Sequence, residues 1–228
     1  MANDREVLRE IWDGKLPVCF QLDQEEIMEI QQPDPFYVMV PRLSYFPLVI
    51  DKVNLINYFK IFSIYMYNNN NSLIVLKINL YLLHCRDVVE AHYMSTVKEA
   101  DVLKHRGQIM SAMQKKDHNQ LWLGLQNDKF DQFWAINRRL MEAHGDNDGF
   151  KHIPIRIYSE DGTCTQRLIS PKNIDGSRKI IQQLISELYP EKPVKLRTHG
   201  ITIPLDTPLQ WLSEHLSYPD NFLHVCVC

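Results

Sequence analysis

No proline stands between Pro47 and Pro154, and glycine is sparse there. Proline breaks helix interiors and glycine weakens them. This middle stretch is therefore where the chain can build long helices. Over 87–144 the apolar residues follow that reading. Val89, Tyr93, Val97 and Ala100 recur at helical spacing, and Leu121, Leu125, Phe130, Phe133, Trp134 and Leu140 make a second stripe. Gln114-Lys115-Lys116-Asp117 reads as a polar break, Asn127-Asp128 as the cap that starts the later half, and residues 145–149 as a polar linker.

The proline-bearing flanks carry shorter elements. An amphipathic helix is expected at 4–12, with Val7, Leu8, Ile11 and Trp12 on one side. Apolar runs at 16–22 and 36–40, joined by an acidic connection, suit an antiparallel pair. A helix can start at Pro47. At the other end, 153–158 alternates as a strand, Glu160-Asp161-Gly162 is a turn, and 163–169 is a second strand. Residues 177–188 form an amphipathic helix through Ile180, Ile181, Leu184, Ile185 and Leu188, stopped before Pro190. Another strand or two is expected over 194–203. Thr207 caps a short helix with Pro208 at its first position and Gln210 closing a capping box. Residues 222–227 close as a strand. The order ββαβ, short helix, β is that of a ubiquitin-like β-grasp fold, in an α+β chain.

Residues 54–83 differ in style from the rest. Asn, Ile, Tyr, Phe and Lys fill 20 of these 30 positions, with no Asp, Glu, Gly or Pro, and asparagine runs over 68–71. These residue types share A/T-rich codons, so the segment reads either as translated non-coding sequence, such as a retained intron, or as a low-complexity insert. Its apolar runs are broken by Lys60, the asparagines and Lys77. They fall short of the roughly 20 residues a spanning helix needs, and the segment reads as a β-aggregation hazard.

Chemistry-bearing motifs are few. Net charge is −3, and the densest basic spot, Arg138-Arg139, reads as a solvated helix face, so no nucleic-acid footprint follows. The acidic start reads as no signal peptide. Five scattered cysteines with no Cys-x-x-Cys pair fit a reducing cytosolic compartment. No His-Glu-x-x-His, no Gly-x-x-x-x-Gly-Lys and no Gly-x-Ser-x-Gly occurs, so no metal, cofactor or catalytic centre is expected. Cys85, after His84, is the thiol a cysteine mechanism would use, against a buried structural role at a junction.

Two long strings carry a resemblance. One spans 117–141 and includes Leu121-Trp122-Leu123-Gly124-Leu125-Gln126-Asn127-Asp128 and Phe130-Asp131-Gln132-Phe133-Trp134. The other spans 207–224 and includes Thr207-Pro208-Leu209-Gln210-Trp211-Leu212-Ser213-Glu214-His215. Both resemble the autophagy protein 5 family, as does 7–20 with Pro41-Arg42-Leu43-Ser44-Tyr45 behind it. The resemblance covers 1–53 and 84–227. It implies two ubiquitin-like domains flanking a helix-rich segment, with boundaries here at 1–83, 84–149 and 150–228. It also implies a non-catalytic cytoplasmic scaffold. In this family one lysine accepts an isopeptide bond from the C-terminal glycine of autophagy protein 12, delivered by the pathway's conjugating enzyme. A groove built from the ubiquitin-like domains binds the N-terminal helix of autophagy protein 16. The assembly, peripheral at the isolation membrane, promotes lipidation of autophagy protein 8 in a ligase-like way.

The family's acceptor pattern is matched by Glu90-Ala91-His92-Tyr93-Met94-Ser95-Thr96-Val97-Lys98-Glu99-Ala100-Asp101, which implies Lys98 as acceptor. Glu90, His92 and Glu99 are its expected neighbours, and Lys104 is the competing lysine. Taken without the resemblance, Lys98 reads as a solvated helical lysine. The family completes its first ubiquitin-like domain with a helix and three strands between Val53 and His84. With 54–83 in their place, that domain is expected to be incomplete, with an open sheet edge that bears on autophagy protein 16 binding. Two further readings stand beside the scaffold: a thiol-dependent conjugating enzyme using Cys85, and an unstable splice product.

Overall fold

A computed structural model describes residues 5–22, 34–53, 61–67, 73–79, 86–143, 149–159, 161–190 and 194–228. The acidic connection of the first hairpin, the asparagine run, Cys85, Glu160 and most of the expected 145–149 linker lie outside the described residues. The chain divides into two compact units. One comprises Met1–Ile11 with His92–Cys228, and the other Trp12–Ala91.

The smaller unit holds β1 (Lys15–Leu22), β2 (Phe36–Pro41), α2 (Phe46–Val53), β3 (Ile61–Tyr67) and β4 (Leu73–Asn79). β1 and β2 pair antiparallel from Lys15↔Pro41 to Phe20↔Phe36. Val18, Phe20, Val40, Leu48 and Val49 are buried, so alternate positions of the hairpin and one side of α2 supply the core. The expectation of a sheet short of three strands is corrected here. The 54–83 segment contributes two: β3 pairs antiparallel with β1, and β4 with β3 through Ile61↔Asn79 to Tyr67↔Leu73. Runs of Ile, Tyr, Phe and Val suit a pleated sheet whatever their codon origin. The sheet order is β2-β1-β3-β4 and every pairing is antiparallel. No parallel strand closes it among the described residues, and in that sense the first β-grasp is incomplete.

The larger unit opens with α1 (Arg5–Asp13), whose Leu8 is buried. Arg5 and Arg9 both donate to the Asp131 carboxylate, at 2.6 and 2.7 Å, and those bonds hold the Asp131 carboxyl below its usual range. The helical part consists of α3 (Arg86–His105), which belongs to this unit from His92 on, with α4 (Gln108–Ala112), α5 (Lys115–Gln126) and α6 (Phe130–Met141). Asp87 in the first turn of α3, and Lys104 and His105 in the last, match the helix dipole. The polar break is the start of α5, where the Asp117 carboxylate accepts the Gln114 N–H at 3.2 Å. The cap assigned to Asn127-Asp128 is also corrected. Asn127 Nδ2 donates back to Leu123 O at 2.9 Å, and Asp128 takes a left-handed φ of 56°. The pair closes α5, and Lys129 stands before α6. α5 and α6 then run so close at Gly124 that a Cβ there would lie 2.6 Å from the Phe133 backbone nitrogen.

The second sheet has the order β6-β5-β9-β7-β8, from β5 (Ile155–Tyr158), β6 (Cys164–Gln166), β7 (Leu196–Thr198), β8 (Ile201–Thr202) and β9 (Leu223–Val227). β5 and β9 run parallel, the other pairs antiparallel. With α7 (Ile181–Leu188) this is the expected β-grasp. Ile155, Ile157, Leu223 and Val225 face Ile181, Leu184 and Ile185 in one apolar core. α7 starts later than expected, because Asp175-Gly176-Ser177 forms a turn in which the Asp175 carboxylate accepts the Ser177 N–H at 2.9 Å. α8 (Leu209–His215) also departs from its expected cap. Thr207 Oγ1 donates to Pro204 O at 2.7 Å, while Gln210 accepts the Phe150 N–H and donates to Glu214.

Candidate functional site: the Lys98 face of helix α3

One side of α3 is sealed. Tyr93, Val97 and Ala100 have no exposed surface, and Asp101 and Lys104 continue the same side. Tyr93 packs tilted against Trp122 with ring centroids 5.7 Å apart, and its hydroxyl donates to Pro219 O at 3.3 Å. These contacts fix the helix against its neighbours. Lys98 lies off that seam and is exposed. One turn away on either side stand Met94, half-buried, and Val102, 57% exposed. The amine is thus presented on an open strip of helix with no carboxylate at the flanking i±4 positions.

The expected neighbours do not gather around it. Glu99 is committed to the second sheet: its Oε1 accepts from Gln166 Nε2 at 2.7 Å, and its Oε2 faces Arg156 Nη2 at 3.4 Å. His92 is exposed and sits six residues before Lys98, about 120° away around the helix. Its carbonyl accepts from Thr96 Oγ1 at 3.0 Å. Glu90 is half-buried and belongs to the smaller unit.

Lys104, the competing lysine, is buried, at 3% exposure. Its Nζ lies 3.5 Å from Leu140 O and 4.8 Å from the centre of the Phe150 ring. Burial pushes its pKa down to about 7, against the pull of Glu214, Asp220 and Asp101. A neutral amine at pH 7 is a nucleophile, but this one cannot be reached by a protein donor. Burial has the opposite effect on Asp101, raising its carboxyl, opposed by the Met110 N–H that its Oδ2 accepts at 2.8 Å.

A polar network missing from the sequence reading lies on the outer side of the second sheet. Arg156 Nε donates to Gln166 Oε1 at 3.0 Å, and the guanidinium rests 4.0 Å over the Phe222 ring. Asp220 faces Arg156 at 3.9 Å and His224 Nε2 at 3.0 Å, and His224 Nδ1 meets Tyr158 Oη at 2.8 Å. Burial, with Cys164 adding to it, pushes the Tyr158 hydroxyl up to about 12. The outward positions of β5 and β9 alternate with buried Ile155, Ile157, Leu223 and Val225, and in sequence such positions read as solvent-facing. Among the described residues no group of three or more metal-type side chains forms, and no helix is long and apolar enough to cross a membrane.

Residues 11–86 match the family model of the UblA domain of autophagy protein ATG5, 86–143 that of its alpha-helical bundle region, and 152–227 that of its UblB domain. Autophagy protein 5 of Drosophila melanogaster is 48% identical over an alignment that covers 100% of this chain and 98% of the fly protein. The chain belongs to the autophagy protein 5 family. Autophagy-related protein 5 of Caenorhabditis elegans is 35% identical, with 97% of each chain covered. The crystal structure of Kluyveromyces marxianus Atg5 superposes with a TM-score of 0.77 at 12% identity, over 98% of this chain and 100% of the yeast one. At that identity the likeness speaks for the fold. The alignment with the fly protein extends over 270 positions, more than the 228 residues present here, so the fly autophagy protein 5 carries residues without a counterpart in this chain. Two ubiquitin-like domains flanking a helical bundle are the architecture of the family and of this chain, and its role is in autophagy.

Proposed function

We propose that the chain is the acceptor scaffold of the autophagy conjugation system, with Lys98 taking an isopeptide bond from the C-terminal glycine of autophagy protein 12. The observation that carries this reading is the contrast between two lysines on one helix: Lys98 stands exposed within the acceptor pattern, and Lys104 is buried. In the same reading the ubiquitin-like domains bind the helix of autophagy protein 16. The conjugate, cytoplasmic and peripheral at the preautophagosomal membrane, promotes lipidation of autophagy protein 8. The scaffold itself performs no chemistry beyond offering an amine, which the conjugating enzyme must activate. The thiol alternative rests on Cys85, which lies outside the described residues; full conjugation competence is expected for Cys85→Ala and would remove it.

Incubation of the whole chain with autophagy protein 12 and its activating and conjugating enzymes tests this directly. A band shift is expected for the natural sequence and none for Lys98→Arg. Lys104→Arg is expected to shift like the natural chain. Persistence of the shift in Lys98→Arg overturns the assignment.

A further inference from the structure

We infer that Arg156, on a strand of the second ubiquitin-like sheet, is a positioning residue for transfer to Lys98, acting through Glu99; this rests on the acceptor reading above. Three side chains from three elements close a ring of contacts. Glu99 on α3 takes Gln166 Nε2 on one carboxylate oxygen, at 2.7 Å, and Arg156 Nη2 on the other, at 3.4 Å. Gln166 on β6 in turn accepts from Arg156 Nε at 3.0 Å. Arg156 is itself held from below by the Phe222 ring, at 4.0 Å, and faces Asp220 at 3.9 Å. The guanidinium therefore has little freedom, and a planar, fixed donor sets direction as well as distance.

Glu99 is the residue directly after Lys98. On the buried side α3 is seated by Tyr93, Val97 and Ala100, with the Tyr93 hydroxyl donating to Pro219 O at 3.3 Å. The ring grips the helix on its outer flank. Two grips on different sides fix the rotation of the helix about its axis, and with it the direction in which Lys98 projects. Without the ring the Glu99 side chain, 46% exposed, has solvent as an alternative.

The reaction is demanding in that respect. The Lys98 amine attacks the thioester carbonyl of a ubiquitin-like protein carried on a conjugating enzyme. A C–N bond forms, the C–S bond breaks, the cysteine leaves as thiolate, and the proton lost by the amine passes to water. In this proposal the bulky donor docks on surface outside the ring, so a misdirected amine lowers the rate within the bound complex and leaves docking intact.

The test is single-turnover discharge of the loaded conjugating enzyme onto the whole chain, with donor concentration varied. Arg156→Met and Glu99→Ala are each expected to lower the maximal rate by about tenfold, with half-saturating donor concentration unchanged. The double variant is expected to be no slower than either single one, because both remove the same contact. Arg156→Lys, which keeps the charge, should recover part of the rate. Near-ultraviolet circular dichroism of each variant checks that the fold is retained. Losses that multiply in the double variant, a change in half-saturation alone, or natural rates in Arg156→Met would each overturn the positioning role. Discharge that persists in Lys98→Arg would overturn the acceptor reading, and the positioning role with it.

Discussion

Gly124→Ala is expected to destabilise the helical bundle by about 2 kcal/mol or more. The added methyl would lie 2.6 Å from the Phe133 nitrogen and 2.7 Å from its Cα. Both are backbone atoms, and neither can swing aside as the end of a flexible side chain could. The two helices must separate or α6 must shift along its axis, and each response unpacks Leu121, Trp122, Phe133 and Trp134, which are buried nearby in sequence. Alanine's better helix propensity returns at most about 1 kcal/mol. Urea unfolding followed by tryptophan fluorescence measures the balance. Gly176→Ala is the matched control: nothing stands within 4 Å of the added atom, and only the left-handed φ of 83° is strained. An unchanged midpoint for Gly124→Ala would mean that α5 and α6 do not approach so closely.

Lys104 governs the second large effect, on the pH dependence of stability. Its pKa falls from 10.5 in the unfolded chain to about 7 in the folded one. The folded state therefore binds fewer protons than the unfolded state between those values. The sign follows: the penalty is complete below pH 7 and is relieved as pH rises toward 10.5, by up to about 1.4 kcal/mol per pH unit. From pH 7 to 9 the gain is expected to be about 2 kcal/mol. Lys104→Met keeps most of the apolar stem and removes the titration, so its stability should lack that rise. Denaturation midpoints at pH 7, 8 and 9 for both chains decide it, and parallel curves would rule the effect out.

The second β-grasp domain was legible because each of its elements announces itself locally. Ile155 and Ile157 alternate on a strand, Ile181, Leu184 and Ile185 recur on a helix, and Asp161-Gly162 marks the turn. The caps were not legible at the same precision. Thr207 and Asn127 have the right side chains for a helix start, but in the fold each points back along the chain and donates to an earlier carbonyl, Pro204 O and Leu123 O. The two strands within 54–83 are hidden in the sequence for a different reason. The segment's composition speaks of codons, whereas pairing with β1 depends only on β-propensity and an available edge. At the site, Lys98 was visible through the acceptor pattern alone, since an exposed helical lysine carries no local signal. The Arg156, Gln166 and Glu99 ring joins residues that are far apart in the chain, and no spacing rule reaches across that distance.

The parallel pairing of β5 with β9 sets an order of events as the chain is made. β9 is the middle strand of its sheet, yet it follows all the others in the chain. Until it emerges from the ribosome, β5–β6 and β7–β8 are two separate ribbons with no strand between them. Helix α7 then has only half a floor to rest on, and its apolar face stays open to chaperones. The smaller unit needs nothing from the second domain, because its pairings are complete once β4 has emerged. Loss of the few residues at 223–227 would thus split the second domain down its centre, while the first sheet could still form.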